Sequence, residues 1–174
     1  MSASPYKRGA DDGITFAIYL TVLFFASIFS PKHILLSVSS LVLMAGVPFM
    51  IYYYLRRAYV ADKGIATVSS LWMHGIMIFV CGSVLSAVVQ VVYLRWIDPL
   101  YISNMVKLLI DTYSKIPGEN AREIVTVLQR TLDYHLIPSA ISIVFEMIWL
   151  AIFSGSLLSL LMTLLVRARP VKLS

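Results

Sequence analysis

Four stretches of this 174-residue chain run on with almost no charge, and they limit its possible folds more than any other feature. Residues 14–29, 34–55 and 64–94 contain no Asp, Glu, Lys or Arg, and residues 136–166 contain a single one, Glu146. A helix needs about 20 mostly apolar residues to cross ~30 Å of hydrocarbon. In that layer backbone N–H and C=O groups must be satisfied internally, so these stretches are predicted as helices and not as open strands. A water-soluble fold fails on composition. Hydrophobic residues make up 59% of the chain and charged residues 13%, whereas a soluble domain carries about 25% charge. Too little polar sequence is left to cover four such helices. The expected fold class is therefore an all-α integral membrane protein, a single membrane domain over residues 1–174. Its spans are expected at about 12–29, 34–55, 69–94 and 138–166.

The boundaries support this division. Ser30-Pro31-Lys32-His33 reads as a tight connector that makes the first two helices an antiparallel hairpin. Pro48 inside the second span is expected to kink it, since its ring removes a backbone donor. Tyr52 to Tyr54, Trp72, Tyr93, Trp96 and Tyr134 stand at span ends, where aromatic side chains favour headgroup depth. Lys7 and Arg8 precede the first span, but Asp11 and Asp12 interrupt a signal-peptide pattern and no small-x-small cleavage pair follows, so the span is read as retained. Cys81, the lone cysteine, can form no disulfide within the chain and reads as a packing residue. Four spans put both termini on one side. That side carries eight Lys and Arg residues (7, 8, 56, 57, 63, 167, 169 and 172) against six on the other, and the long third connector has a weaker vote. Both termini are expected in the cytoplasm. The basic excess is read as this orientation signal, and no nucleic-acid partner is expected.

The third connector, residues 95–137, is too long for a bare turn. Asp98-Pro99 reads as an N-cap followed by proline at the first helical position. Ile102, Met105, Val106, Leu109, Tyr113 and Ile116 then mark one helical face. Pro117-Gly118 interrupts it. Asn120 and Glu123 have capping-box spacing ahead of a second stripe, Ala121, Ile124, Val125, Leu128 and Leu132. An extramembrane amphipathic helical hairpin at about 98–134 is expected between helices 3 and 4. Its apolar faces would meet span ends or the lipid interface, or else a partner or lipid-linked substrate.

Glu146 is the first functional candidate. An acidic residue near the bilayer centre costs on the order of 3 kcal/mol, so a hydrogen bond to Thr21, Ser83, Ser86 or Gln90, protonation, or a wet cavity must offset it. Transport, a proton relay or headgroup binding is the functional reading of that residue. Gln90, His135 and Asp98 complete the polar candidates. Gly82 and Ser86 on the third span, and Ala151, Gly155 and Ser159 on the fourth, recur at fourfold spacing and suit close helix packing. The fourth-span stripe lies about 180° from Glu146, at 100° per residue, so that helix is expected to make contacts on two sides. Those contacts belong either to the bundle or to a homodimer or membrane-protein partner. No catalytic residue, metal-ligand set or cofactor is assigned, because no histidine pair, glycine-rich loop, nucleophile elbow or paired carboxylates stand at a working spacing.

The run Trp72-Met73-His74-Gly75, followed by a small-residue span and Tyr93-Leu94-Arg95-Trp96-Ile97-Asp98-Pro99-Leu100-Tyr101, resembles the bacterial family called domain of unknown function 4199. The likeness covers nearly the whole chain. It implies a Gram-negative inner-membrane location and a polyprenyl-phosphate-type glycosyltransferase as an associated protein; it carries over no catalytic residues. The sequence thus points to a non-catalytic scaffold or accessory subunit. A small transporter or lipid-headgroup translocator using Glu146 is the first alternative, and a membrane enzyme combining Glu146 with Asp98 or His135 the second.

Overall fold

The computed structural model describes residues 4–32, 34–134 and 136–169. Its helices are α1 (Pro5–Phe29), α2 (Ile34–Ala61), α3 (Val68–Val92), α4 (Tyr101–Ser114), α5 (Glu119–Asp133) and α6 (Ala140–Ala168). A 3-10 turn, Ser30–Lys32, joins α1 to α2, and a π-helical turn, Tyr93–Ile97, extends α3. Four helices are long and apolar enough to cross a membrane: α1, α2, α3 with its π turn, and α6. The short pair α4 and α5 follows the third of them in the chain. The chain divides into two compact units, residues 1–89 with 147–174, and residues 90–146.

In the first unit α1 and α2 form the expected hairpin, with Ser37 Oγ donating to the Ser30 carbonyl 3.0 Å away across the turn. α2 runs unbroken through Pro48. In the turn ahead of that proline the Tyr19 hydroxyl donates to the Leu43 carbonyl, and its ring end lies against Gly46. The missing N–H of Pro48 leaves the Met44 carbonyl without its helical donor, and the Tyr19 hydroxyl of α1 bonds the carbonyl next to it. α2 ends at a left-handed pair, Lys63 (φ 53°) and Gly64 (φ 77°). The Gly64 N–H reaches back to the Tyr59 carbonyl at 2.9 Å, closing the helix end.

The core follows from two stripes with 3.6-residue periodicity. On α1 the buried positions are Gly9, Asp12, Gly13, Phe16 and Ala17, with Ala26 and Ile28 further on; on α3 they are Leu71, His74, Gly75, Ile78, Phe79, Gly82, Ser83, Ser86 and Ala87. Small residues let these backbones touch. A Cβ on Gly9 would lie 2.6 Å from Met77 Cβ and 2.9 Å from the His74 carbonyl, and one on Gly82 would lie 2.6 Å from the Phe16 ring. α6 packs on α3 in the same way, Gly155 under the Phe79 ring and Ser159 against Gly75. The Trp72 indole donates to the Ser156 carbonyl at 3.0 Å, so its polar atom is used inside the bundle. Phe16 and Phe79 meet edge to face at 5.1 Å in the middle of this core.

The first helix begins at Pro5, ahead of the expected span, and residues 9–13 continue its buried stripe. Two local expectations need correction. Asp98 does not cap α4. It closes the π turn, its N–H bonding the Tyr93 carbonyl at 2.9 Å, and α4 starts at Tyr101 with no side-chain cap. The capping box at Asn120 and Glu123 does not form either, since α5 already starts at Glu119, with Gly118 (φ 145°) in place of Asn120 at its N-cap. At α6 the cap is Ser139, whose Oγ accepts the Ser142 N–H at 3.1 Å.

Candidate functional site

Among the described residues of the first unit, buried charge gathers where α1 begins, α2 ends and α3 begins. Asp12 stands on the buried stripe of α1, one turn before Phe16. Its side chain is 8% exposed, and both carboxylate oxygens are taken. Oδ1 pairs with Arg57 Nη2 of α2, and Oδ2 lies 3.0 Å from His74 Nε2 of α3. An ionised carboxylate can only accept, so Nε2 carries the proton of that bond. The His74 side chain is 3% exposed and the Arg57 side chain 57%. The Arg57 guanidinium also lies over the Tyr54 ring, 5.7 Å from its centre. A second ion pair, Arg8 to Asp62 at 2.9 Å, ties the start of α1 to the residue just past α2.

These groups border an open cleft of about 220 Å³ lined by Arg8, Asp11, Asp12, Arg57 and His74 with Ala58 and Ala61. A smaller one of about 80 Å³ shares Arg8, Ala58 and His74 and adds Asp62 and Ser70. Charge is balanced pair by pair, Arg57 against Asp12 and Arg8 against Asp62, while Asp11 is exposed. Arg56, next to Arg57, serves the same end of the unit. Its Nη1 donates to the carbonyls of Val166 (3.2 Å) and Arg169 (2.6 Å), where α6 runs out. Among the described residues no group of three or more His, Cys, Asp or Glu side chains stands where it could hold a metal ion.

A family model described as "Protein of unknown function (DUF4199)" matches residues 11–168. The chain belongs to the DUF4199 family. No curated protein and no solved structure matches it. The matched stretch of this DUF4199 protein takes in Asp12, Arg57 and His74 and leaves out Arg8.

The candidates read from the DUF4199 sequence fall elsewhere. Glu146 is on an exposed face of α6 and makes no hydrogen bond or ion pair among the described residues. Thr21, one of its expected partners, donates instead to the Ala17 carbonyl at 2.8 Å and to Ser86 Oγ at 3.4 Å. Gln90 is half-buried near the end of α3, and Asp98 is half-buried at the π turn. His135 lies outside the described residues. The packing candidates fare differently from one another. Gly82, Ser86, Gly155 and Ser159 sit in the helix contacts, while Ala151 is half-buried. Next to Ser159, Thr163 is also 0% exposed, and neither hydroxyl has a hydrogen-bond partner among the described residues.

Asp12, Arg57 and His74 escape a reading that starts the first span near residue 12 and seeks buried polar groups only deep within the spans. Two signals in the sequence point to the Asp12 face of α1, and neither reaches Arg57 or His74. Gly9-x-x-x-Gly13 is a close-packing spacing, and Asp12 is four residues from Phe16, on the same helical face. In the other unit Tyr101 of α4 holds its phenol proton above the ordinary value of 10.0. Burial is the main cause, followed by the charges of Tyr93 and Asp98.

Proposed function

We propose that this DUF4199 protein is a non-catalytic scaffold of the bacterial inner membrane, an accessory subunit that holds a membrane partner, with both termini in the cytoplasm. One observation carries this reading: the buried charges are engaged in tying helices together. Both Asp12 oxygens, one Arg8 nitrogen and the Arg56 Nη1 donor are committed to neighbouring helices or to α6 carbonyls. A group that must accept or donate a proton to a substrate has to reach it in a plausible pose, and a carboxylate held on both oxygens is poorly placed to do so. The orientation rests on the eight basic residues that share the termini's side. The partner class implied by the family likeness is a polyprenyl-phosphate-type glycosyltransferase, and a second copy of the chain is the other candidate. Cross-linking in native membranes, then purification in mild detergent and mass spectrometry, tests this. A defined protein partner recovered in stable proportion is the expected result; a chain that emerges alone counts against the scaffold.

A second reading, a small transporter or headgroup translocator, draws on Glu146, a carboxylate on a candidate span with no partner among the described residues. It requires Glu146→Gln to abolish a flux while the chain still reaches the membrane. If Glu146→Gln and Glu146→Leu both leave function intact, that reading fails.

A further inference from the structure

We propose that the α4–α5 hairpin lies in the headgroup layer of the chain's own bilayer, with its uncovered apolar side chains turned into the acyl chains. The inference does not depend on the scaffold reading.

Three observations on this unit lead to it. The first is angular. On α5, Ala121, Val125, Leu128 and Leu132 form one stripe of buried and half-buried residues. At 100° per residue, Ile124 and Val127 stand about 60° and 120° round from Ala121 on one side, with Thr131 and Asn120 between them, while Arg122, Gln129 and Asp133 occupy the other flank. Apolar side chains therefore extend beyond the face that the paired helix covers. Ile124 remains 39% and Val127 56% exposed, with Leu108 (44%), Leu109 (40%) and Ile116 (48%) exposed on the α4 side of the hairpin. A hairpin standing in water would leave this surface wet, at roughly 25 cal/mol per Å².

The second is reach. Three residues, 98–100, separate the end of the third candidate span from α4, and six, 134–139, separate α5 from α6. At no more than about 3.6 Å per residue, these connectors extend roughly 11 Å and roughly 22 Å. Both roots of the hairpin are thus tethered near span ends, within reach of the headgroup layer. The flanking aromatics suit that depth: Trp96 is 68% and Tyr134 71% exposed, and the Arg95 guanidinium lies over the Trp96 ring.

The third is charge. Residues 95–137 carry five basic side chains (95, 107, 115, 122 and 130) and five acidic ones (98, 111, 119, 123 and 133). A neutral element gains little from anionic lipid or a charged partner, so apolar insertion supplies the attraction, and it should be indifferent to salt.

The test uses the full chain carrying Cys81→Ser in phosphatidylcholine nanodiscs, with single nitroxide labels on cysteines placed at 108, 124 and 127, and at 107, 122 and 129. Collision rates with oxygen, which concentrates in lipid, and with a water-soluble nickel chelate are then compared. Labels at 108, 124 and 127 should favour oxygen over nickel by several-fold more than labels at 107, 122 and 129. The ratio should hold between 50 and 500 mM salt. Equal nickel access at both sets would overturn the proposal, because the hairpin would then stand upright in water. Labels at 108, 124 and 127 shielded from both agents would overturn it too, since protein would cover that face. Should labelling disturb the fold, Val127→Trp in a chain with its native tryptophans replaced by Phe supplies a second readout. Quenching by lipids brominated near the glycerol end supports insertion, and an absence of quenching refutes it.

Discussion

Replacing Asp12 by alanine removes the acceptor shared by α2 and α3, and its cost can be worked from the contacts. A hydrogen bond to a charged group is worth about 1.5–3 kcal/mol. The bond to His74 belongs in that range, because both partners are almost fully buried, at 3% and 8% side-chain exposure. The bond to Arg57 is worth less. That guanidinium is 57% exposed, solvent screens the pair, and about 1 kcal/mol is a fair ceiling. Asp12→Ala should therefore destabilise the folded chain by about 3 kcal/mol, close to a hundredfold in the folding equilibrium. The chain carries its own reporter. Cys81, the lone thiol, is partly buried, and a Cβ on Gly13 would come within 2.7 Å of its Cβ. Its reaction with a maleimide dye during a denaturant titration in mixed micelles reads the separation of α1 from α3. Asp11→Ala, one position away and exposed, is the control and should shift the midpoint by no more than about 0.5 kcal/mol. Arg57→Ala added to Asp12→Ala should cost little more, since its partner is already gone. If Asp12→Ala behaves like Asp11→Ala, the cluster does not hold the helices together and the argument for a structural latch fails.

Other predictions follow from the same contacts. Gly75→Ala would place a Cβ 2.6 Å from both Ser159 Cβ and Oγ; overpacking of this kind costs about 1–3 kcal/mol, and Cys81 should react at lower denaturant. Thr163→Val should stabilise the chain by about 1 kcal/mol, because it replaces a buried hydroxyl with no partner among the described residues by a methyl of similar size; a loss of stability would mean that the hydroxyl does bond. Tyr101 is an acid whose protonated form is favoured by folding. Its contribution is therefore complete below the ordinary value of 10.0 and declines as pH rises through the folded-state value. The tyrosinate absorbance of wild type minus that of Tyr101→Phe should rise at higher pH than free tyrosine, and Asp98→Asn should bring it back toward 10.0 by removing one of the causes.

Much of the fold was legible because a bilayer imposes so few solutions. Residues 34–55 and 69–94 have no charge to offer water, so their helical state and their rough limits follow from length and hydropathy alone. The short connector at residues 30–33 likewise makes an antiparallel hairpin the simple outcome. Cap positions were less legible. Asp98-Pro99 has the composition of a helix start, yet the π turn before it uses the Asp98 N–H to close a helix end, a choice made by backbone geometry that composition does not encode. Gly82 and Gly155 could be read as packing residues from their spacing. Which rings they receive, Phe16 and Phe79, could not.

The amino-acid order alone determined that the chain must be helical and lipid-embedded, because no other arrangement satisfies the backbone of its four apolar stretches. It also marked which residues are small enough for helices to touch. Tertiary structure decided which charges matter. Arg57 and His74 lie 45 and 62 residues along the chain from Asp12, and each of the three alone reads as an ordinary residue near a span end. Only the packing of α1 against α2 and α3 brings them together and removes water from two of them, and it is that loss of water which turns three unremarkable side chains into a single interdependent unit.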